Sequence, residues 1–456
     1  MGRRCLYGLA LALALVVFAD AASAGPEACG VMLPFGEYMD RMSDEVAGPF
    51  NELGILGTLS GKVRSFTIWQ DVDTYNADGS IKKQKKSAST IGFFLDYKTP
   101  EYAGLYGKLQ YVDVRQVYDG EHPGSKSDPE FTQNGQYRMI NELYLDYDLS
   151  NVGIDSSSIR VGRQIRHYDF FKKFALRQKE QSMEAVVLST GYIDGLALDV
   201  GHMTGFSSWS SLNAVPYPTK FINIGRQMGV RYETAGATFM NARYSGIEHA
   251  SLTFYDWIMY DLMNVLGVRA SYDVPLYQDI HFIPGAHVLT ERDMGRMKKD
   301  GLGKVSSYAI EVTGELKKGK FSIEPGFLWI SPNKAGEVND ILHPFDTLFS
   351  ADSEKGGDYT RQMSAGSRTF ILRTWFNVCK AKVITAYYYT EHSKNAVNGA
   401  TDKGTRDQQL ETDICLPLTK NTALKLTFVY GCRGTNVDTR KDLEKKDFRI
   451  CLDHSF

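Results

Sequence analysis

No stretch of this chain reaches the ~20 continuous apolar residues that a membrane-spanning helix needs. The apolar run from Leu6 to Phe18 falls short of that length, and mean hydropathy is only -0.29. Cysteine is scarce, at six in 456 residues, with no Cys-x-x-Cys, no His-Glu-x-x-His and no clustered Cys/His spacing. No zinc, redox or other cofactor motif is therefore present. Neither charge sign dominates: the formal net charge is -2, which excludes only a strongly polyanionic partner held by bulk charge. No basic patch with interleaved aromatics points to nucleic acid. The chain is long enough for several domains, yet no linker rich in proline, serine or glycine divides it.

What is present begins with a targeting pattern. Arg3 and Arg4 precede the Leu6–Phe18 run, and Ala22-Ser23-Ala24 offers a small-residue cleavage site. Residues 1–24 are thus expected to be a signal peptide, with Gly25 the first residue of an exported chain. Cys29 lacks the apolar residue that a lipoprotein site wants before it. Five cysteines would remain (Cys29, Cys379, Cys415, Cys432, Cys451), an odd number whose pairing the sequence leaves open. Residues 25–54, with Phe35, Met39, Met42 and Val46 at helical spacing, read as a short periplasmic segment before a barrel over 55–456.

The segment Asp447–Phe456 sets the pattern for that barrel. Phe448, Ile450, Leu452 and Phe456 share one parity, broken only by His454, while Arg449, Cys451, Asp453 and Ser455 share the other. Strand side chains alternate faces, so this is a strand with one apolar and one polar side. The same alternation recurs in Ile91-x-Phe93-x-Leu95-x-Tyr97, in Leu143 to Leu149, in Ile159 and Val161, and in Leu196-x-Leu198-x-Val200. Aromatics are abundant, with 26 Tyr and 24 Phe. A transmembrane barrel has this signature, because its apolar belt alternates one-for-one with a polar lumen.

Short turns are expected at Thr99-Pro100, Asn151-Val152-Gly153, Ala235-Gly236, Pro275-Leu276, Lys317-Lys318-Gly319 and Pro417-Leu418. Between them lie nine polar inserts, near 70–87, 118–138, 167–182, 204–224, 245–261, 291–307, 331–367, 393–406 and 434–446. The predicted fold is all-β: a transmembrane antiparallel β-barrel of about 18 strands with short periplasmic turns and long extracellular loops. Such a protein would sit in the outer membrane against lipid and lipopolysaccharide, as a monomer or trimer.

Several stretches resemble the substrate-specific outer-membrane porins of the OprD type. They are Ser158-Ile-Arg-Val-Gly-Arg-Gln164 with Glu184–Leu188, Gly195–Thr204, and Tyr255–Leu266 continuing to Ala270–Leu276 and Glu291–Gly295. The closing strand is also similar to the carboxy-terminal aromatic signal read by the barrel assembly machinery, with His454 where Tyr is usual. The chain departs from the OprD pattern in lacking a proline and a Phe-x-Gly in the loop after Gln164. Alginate-export barrels share the Gly-Arg-Gln strand end before a basic loop, so polysaccharide export stays open, as does a structural or adhesive surface role.

The resemblance implies passive diffusion of small-molecule solutes through a lumen narrowed by the third long loop, here His167–Ser182. That loop holds Lys172, Lys173, Arg177 and Lys179 against Asp169 and Glu180, with Phe170, Phe171 and Phe174 to pack on the wall. Parity directs Arg64, Arg160, Arg373 and Arg449 into the lumen, with Arg166 at a strand end. Arg163 falls on the lipid side unless a bulge or the rim turns it, and the phases of Arg231, Arg243 and Arg269 stay open. Guanidinium groups in a row can pass a carboxylate along by weak bidentate contacts. The acids Glu142, Asp146, Glu411 and Asp413 either oppose them as a counter-wall or neutralise them in structural pairs. An enzymatic barrel would need a site such as His202 with Asp199, or His287, but no nucleophile, base and orienting group match by spacing.

Overall fold

The computed structural model describes residues 56–75, 80–119, 137–173, 178–208, 221–230, 232–297, 304–332, 334, 337–338, 340–342, 363–392, 406–434 and 441–456. The expected signal peptide and the 25–54 segment lie outside them, as do Phe174, Arg177 and Arg231.

The first strands are β1 (Thr58–Tyr75), β2 (Ile81–Lys98), β3 (Leu105–Asp119), β4 (Tyr137–Asp148) and β5 (Ser157–Gln164). There follow β6 (Ser182–Thr190), β7 (Leu196–Ser207), β8 (Ala237–Tyr244), β9 (Ala250–Met259) and β10 (Met263–Tyr272). Next come β11 (Val274–Tyr277), β12 (Ile280–Asp293), β13 (Lys304–Lys318), β14 (Phe321–Ile330) and β15 (Glu337–Val338). The chain finishes with β16 (Arg368–Val378), β17 (Ala381–Glu391), β18 (Arg406–Pro417), β19 (Thr422–Gly434) and β20 (Lys441–Ser455). β11 only prolongs the pairing of β10 with β12, and β15 is a two-residue parallel bridge onto β13. The other eighteen form a closed antiparallel barrel, each paired with its chain neighbours.

Closure comes from β20 lying against β1, with Arg64 opposite Asp453 and Trp69 opposite Phe448. The ladder continues to the last residue, since the Phe456 and Gly61 backbones exchange hydrogen bonds of 2.7 and 2.9 Å. A closed sheet leaves no strand edge unsatisfied, which is the condition for β-structure in a bilayer.

The side-chain alternation read from the sequence is the alternation of the wall. Phe93, Leu95, Leu143, Leu145, Val161, Val186, Ile310, Val312, Phe370 and Phe428 stand exposed on the outside. Thr90, Glu142, Asp146, Gln164, Glu311, Gln409, Asp413 and Arg449 lie buried on the inside. Phe448 stacks on Trp69 and Phe428 at 5.3 and 4.7 Å, an aromatic ledge across the seam.

Four of the expected inserts are corrected. Asp71 pairs with Lys85 and Asp73 with Lys83 across the ladder, so 70–87 is mostly strand and only 76–80 connects. β20 likewise begins at Lys441, inside the expected insert 434–446. The insert near 204–224 instead spans 208–236. The region 245–261 contains β9, and residues 260–262 make the outer connection to β10. Gly236 therefore ends a long outer connection rather than a periplasmic turn. Where that turn implied a strand over 225–234, the chain forms a helical turn, Ile224–Gln227, stopped by Gly229 at φ 77. One strand too many and one too few left the count at eighteen.

Candidate functional site

Between β5 and β6, residues 165–173 and 178–181 leave the rim and fold into the bore. Glu142 anchors the start: its carboxylate accepts from the Ile165 amide at 3.1 Å and from Lys108 at 2.5 Å. Tyr168, Phe170 and Phe171 then reach the inner faces of β8 and β9. Phe171 lies parallel to Trp257 at 6.3 Å, Phe170 packs on Tyr255 and Trp257, and Tyr168 packs on Phe239 at 5.4 Å. The wall is prepared for these rings. Gly267 and Gly201 sit opposite Tyr255 and Phe239, where a Cβ would meet the ring at 2.0 and 2.5 Å. Beside the rings, Asp169 accepts from Arg269 on β10 at 3.0 Å.

The loop returns along another part of the wall. The Gln178 side-chain amide donates to the Thr90 hydroxyl at 2.7 Å, and its backbone carbonyl accepts from Arg64 at 3.2 Å. Anchors on β8–β10 and on β1–β2 belong to different arcs of the barrel, so residues 168–171 and Gln178 are held at separate parts of the inner wall. The expectation that this loop narrows the bore rested on position and on Phe170, Phe171 and Phe174; Phe170 and Phe171 are buried against the wall, and Phe174 lies outside the described residues.

The lysines of the loop separate into two kinds. Lys173 is half exposed and 3.6 Å from Glu180. Lys172, after burial itself, helps hold the His167 imidazole below its usual value. Lys179 is wholly buried, its Nζ donating to the carbonyls of Glu180 and Ser207 at 3.3 Å each, and burial brings its ammonium down to about 7. It faces β7 rather than the water path on which it was expected.

Arg64, Arg160, Arg373 and Arg449 all point inward, and each has a carboxylate on it. Arg64 binds Asp453 with two hydrogen bonds of 2.6 Å, Arg160 binds Asp146 at 2.5 Å, and Arg449 binds Asp447 at 2.6 Å. Arg373 meets Glu324 across β14 and β16. Arg160 also lies over the Tyr144 ring at 4.1 Å. Of the four acids expected to oppose or neutralise these arginines, Asp146 takes one, Arg160; Arg64, Arg373 and Arg449 pair with Asp453, Glu324 and Asp447, which sequence reasoning did not name. Arg166 has no carboxylate this close: it donates to the Gln164 side-chain oxygen and the Ser189 hydroxyl, with Asp199 4.0 Å away. Among the acids, Glu142 holds Lys108, Asp413 holds Thr427 and Lys425, and Glu411 accepts from Gln409.

Sequence reasoning missed a cavity of about 200 Å³ on the inner face of β10–β14. Arg269, His287, Glu311, Glu315 and Glu324 line it. Only the register places these residues together, since β10, β12, β13 and β14 each contribute one or two. His202 and Asp199 form no dyad. His202 bonds Thr238 on the outside of the wall, and Asp199 stands inside near Arg166. The described residues contain no group of three or more His, Cys, Asp or Glu placed to hold a metal ion.

No protein-family profile matches the chain, and no curated protein matches it either. Solved structures do. Pseudomonas aeruginosa OccK9 (OpdG) aligns with a TM-score of 0.67 at 15% identity, over 87% of this chain and 98% of that one. OccK2 (OpdF) in complex with glucuronate aligns at 0.64 and 13%, over 87% and 98%, and OpdK with vanillate at 0.64 and 11%, over 88% and 100%. All are from Pseudomonas aeruginosa and are OprD-family porins. The fold is theirs. At these identities the likeness carries architecture and not side-chain roles.

Proposed function

We propose that the protein is an outer-membrane porin conducting small hydrophilic solutes, anionic or zwitterionic, passively down their gradients. The observation that carries this reading is the anchoring of residues 165–173 and 178–181 to two arcs of wall inside a closed barrel. A loop so fixed leaves a narrow passage instead of an open pore, and charged groups at a narrowing select by sign.

The passage offers both signs. Arg166, Lys172, Lys173 and Arg177 belong to the loop, and Arg64, Arg160, Arg373 and Arg449 stand on the wall. Glu142, Asp146, Glu411 and Asp413 form the acidic side. In this reading the paired arginines remain usable, because a solute carboxylate can share a guanidinium edge with the resident acid. The acid-lined cavity beside Arg269 suits the ammonium end of an amino acid. Lys179 serves as a loop anchor. The carboxylates named in the vanillate and glucuronate complexes of similar folds agree with this solute class.

Planar-bilayer recording in a KCl gradient, with swelling of liposomes loaded with carboxylates, amino acids or uronate oligomers, tests the proposal. A small, substrate-sensitive conductance with swelling by the small solutes is expected. Swelling by uronate oligomers alone would favour polysaccharide export, and no conductance at all would remove the channel reading. Within the mechanism, Arg177→Ala combined with Lys173→Ala should lower anion preference, and an unchanged permeability ratio would exclude these two residues.

A further inference from the structure

The short connections on the periplasmic rim fall into two runs of opposite charge. Five come first along the chain, between β2 and β3, β4 and β5, β6 and β7, β8 and β9, and β10 and β12. They hold no Lys or Arg and carry Glu101, Asp155, Asp194, Glu248, Asp273 and Asp279. Lys98 and Arg243, near strand ends, are the bases closest to them in sequence. The next three, between β13 and β14, β16 and β17, and β18 and β19, hold no Asp or Glu. They carry Lys320, Lys380 and Lys420, and the strand ends beside them add Lys317, Lys318 and Lys382, all exposed. The carboxylates around this second run are Glu315, Asp279 beside Gly319, and the chain terminus at Phe456.

An array of exposed ammonium groups attracts whatever acid lies within reach. The chain itself brings one. Residues 25–54 carry Glu27, Glu37, Asp40, Asp44, Glu45 and Glu52 against the single base Arg41. At helical spacing Glu37, Asp40 and Asp44 share one side, opposite Phe35, Met39, Met42 and Val46. This segment joins the barrel at the same rim: the Tyr97 hydroxyl donates to the Leu56 carbonyl at 2.8 Å, and β1 lies between β2 and β20. On the β2 side the acidic connections begin. On the β20 side the first connection met is the one carrying Lys420, then the ones carrying Lys380 and Lys320. The farthest lies about 40 Å round the rim at the usual strand spacing and tilt. Residues 25–54 span about 45 Å even as one helix, so reach is not limiting. The 98% of OccK9 that aligns takes up 87% of this chain, which leaves room for such an addition to the shared barrel.

We propose that residues 25–54 dock on the basic run of their own barrel's periplasmic rim, acidic side to the lysines. The acidic run repels the segment, which sets the direction it takes from β1. Once docked, it offsets the lysine charge on that side, so the mouth presents a weaker positive field than the connections alone would give. The inference rests on the barrel lying in a bilayer with its short connections in the periplasm, and not on the identity of any solute.

A water-soluble carbodiimide, which joins carboxylates to amines, tests this on the full exported chain in phosphatidylcholine nanodiscs. Crosslinks from Asp40, Asp44 or Glu45 to Lys318, Lys320 or Lys380 should form within one chain and fade at high salt. Trypsin should cut after Arg41 about tenfold faster once Lys318→Glu, Lys320→Glu and Lys380→Glu are combined, with the barrel's folding checked by its heat-modifiable gel mobility. Deleting residues 28–50 should speed acylation of those three lysines and move reversal potentials towards anion preference while the barrel still conducts. Absence of crosslinks to the basic run, or equal trypsin rates in the two full-length proteins, would overturn the proposal. So would lysine acylation that slows on adding phosphatidylglycerol but ignores the deletion, since lipid headgroups and not this segment would then cover the rim.

Discussion

The Asp169 carboxylate accepts a hydrogen bond from the Arg269 guanidinium at 3.0 Å, tying the inward loop to a wall strand 100 residues further along the chain. The pair is partly buried, so its loss should weaken loop docking by about 1 kcal/mol, below the full value of a charged hydrogen bond because water screens part of it. Asp169→Ala should therefore raise open-channel noise and conductance while the barrel stays folded. Single-channel recording reads this directly, and an unaltered current trace would show that the pair does not hold the loop.

The aromatic anchor should matter more. Phe171 is fully buried and lies parallel to Trp257, and removing a ring from such a site costs about 3–5 kcal/mol. Phe171→Ala should release the loop from β9, giving larger and less selective currents than Asp169→Ala. Trp257 emission should shift to the red as water reaches it. Wild-type emission in the variant would mean that the ring is dispensable for docking.

These anchors mark how far the sequence could be read. Parity alone placed Arg64, Arg160, Arg373 and Arg449 inward, because an eighteen-strand wall with lipid outside enforces strict alternation. It failed at β9 for a physical reason. Tyr255, Trp257 and Met259 face inward yet are apolar, since the folded loop and not water lies against them. A strand apolar on its inner face too shows no alternation, so its sequence reads as an insert. The partner of Arg64 was also hidden, because Arg64 and Asp453 are 389 residues apart and meet only when the barrel closes.

Those partners determine what charge substitutions do. Arg64→Ala removes a cation, leaves Asp453 without its bidentate partner and frees the Gln178 carbonyl, so the lumen becomes more acidic. Reversal potentials in a KCl gradient should move towards cation preference. Asp453→Asn should move them the other way by a similar amount, since it exposes Arg64. Shifts of the same sign for both substitutions would show that the ion pair acts on loop position and not on the local field.

Lys179 gives the loop a pH dependence whose sign follows from its burial. Its ammonium titrates at about 7 when the loop is docked, against 10.5 for a free lysine. Released loop therefore binds more protons than docked loop between those values, and docking strengthens as pH rises from about 7 towards 10.5. Below about 7 both states are protonated, and the burden of a buried ammonium is constant and greatest. Hydrogen exchange of the loop amides, referred to exchange in the barrel strands, should show protection rising across that window. Lys179→Met keeps the apolar stem and removes the charge, so its loop should be better protected at pH 7 and show no such rise. If wild type and Lys179→Met share one pH profile, the buried ammonium is not what destabilises the docked loop.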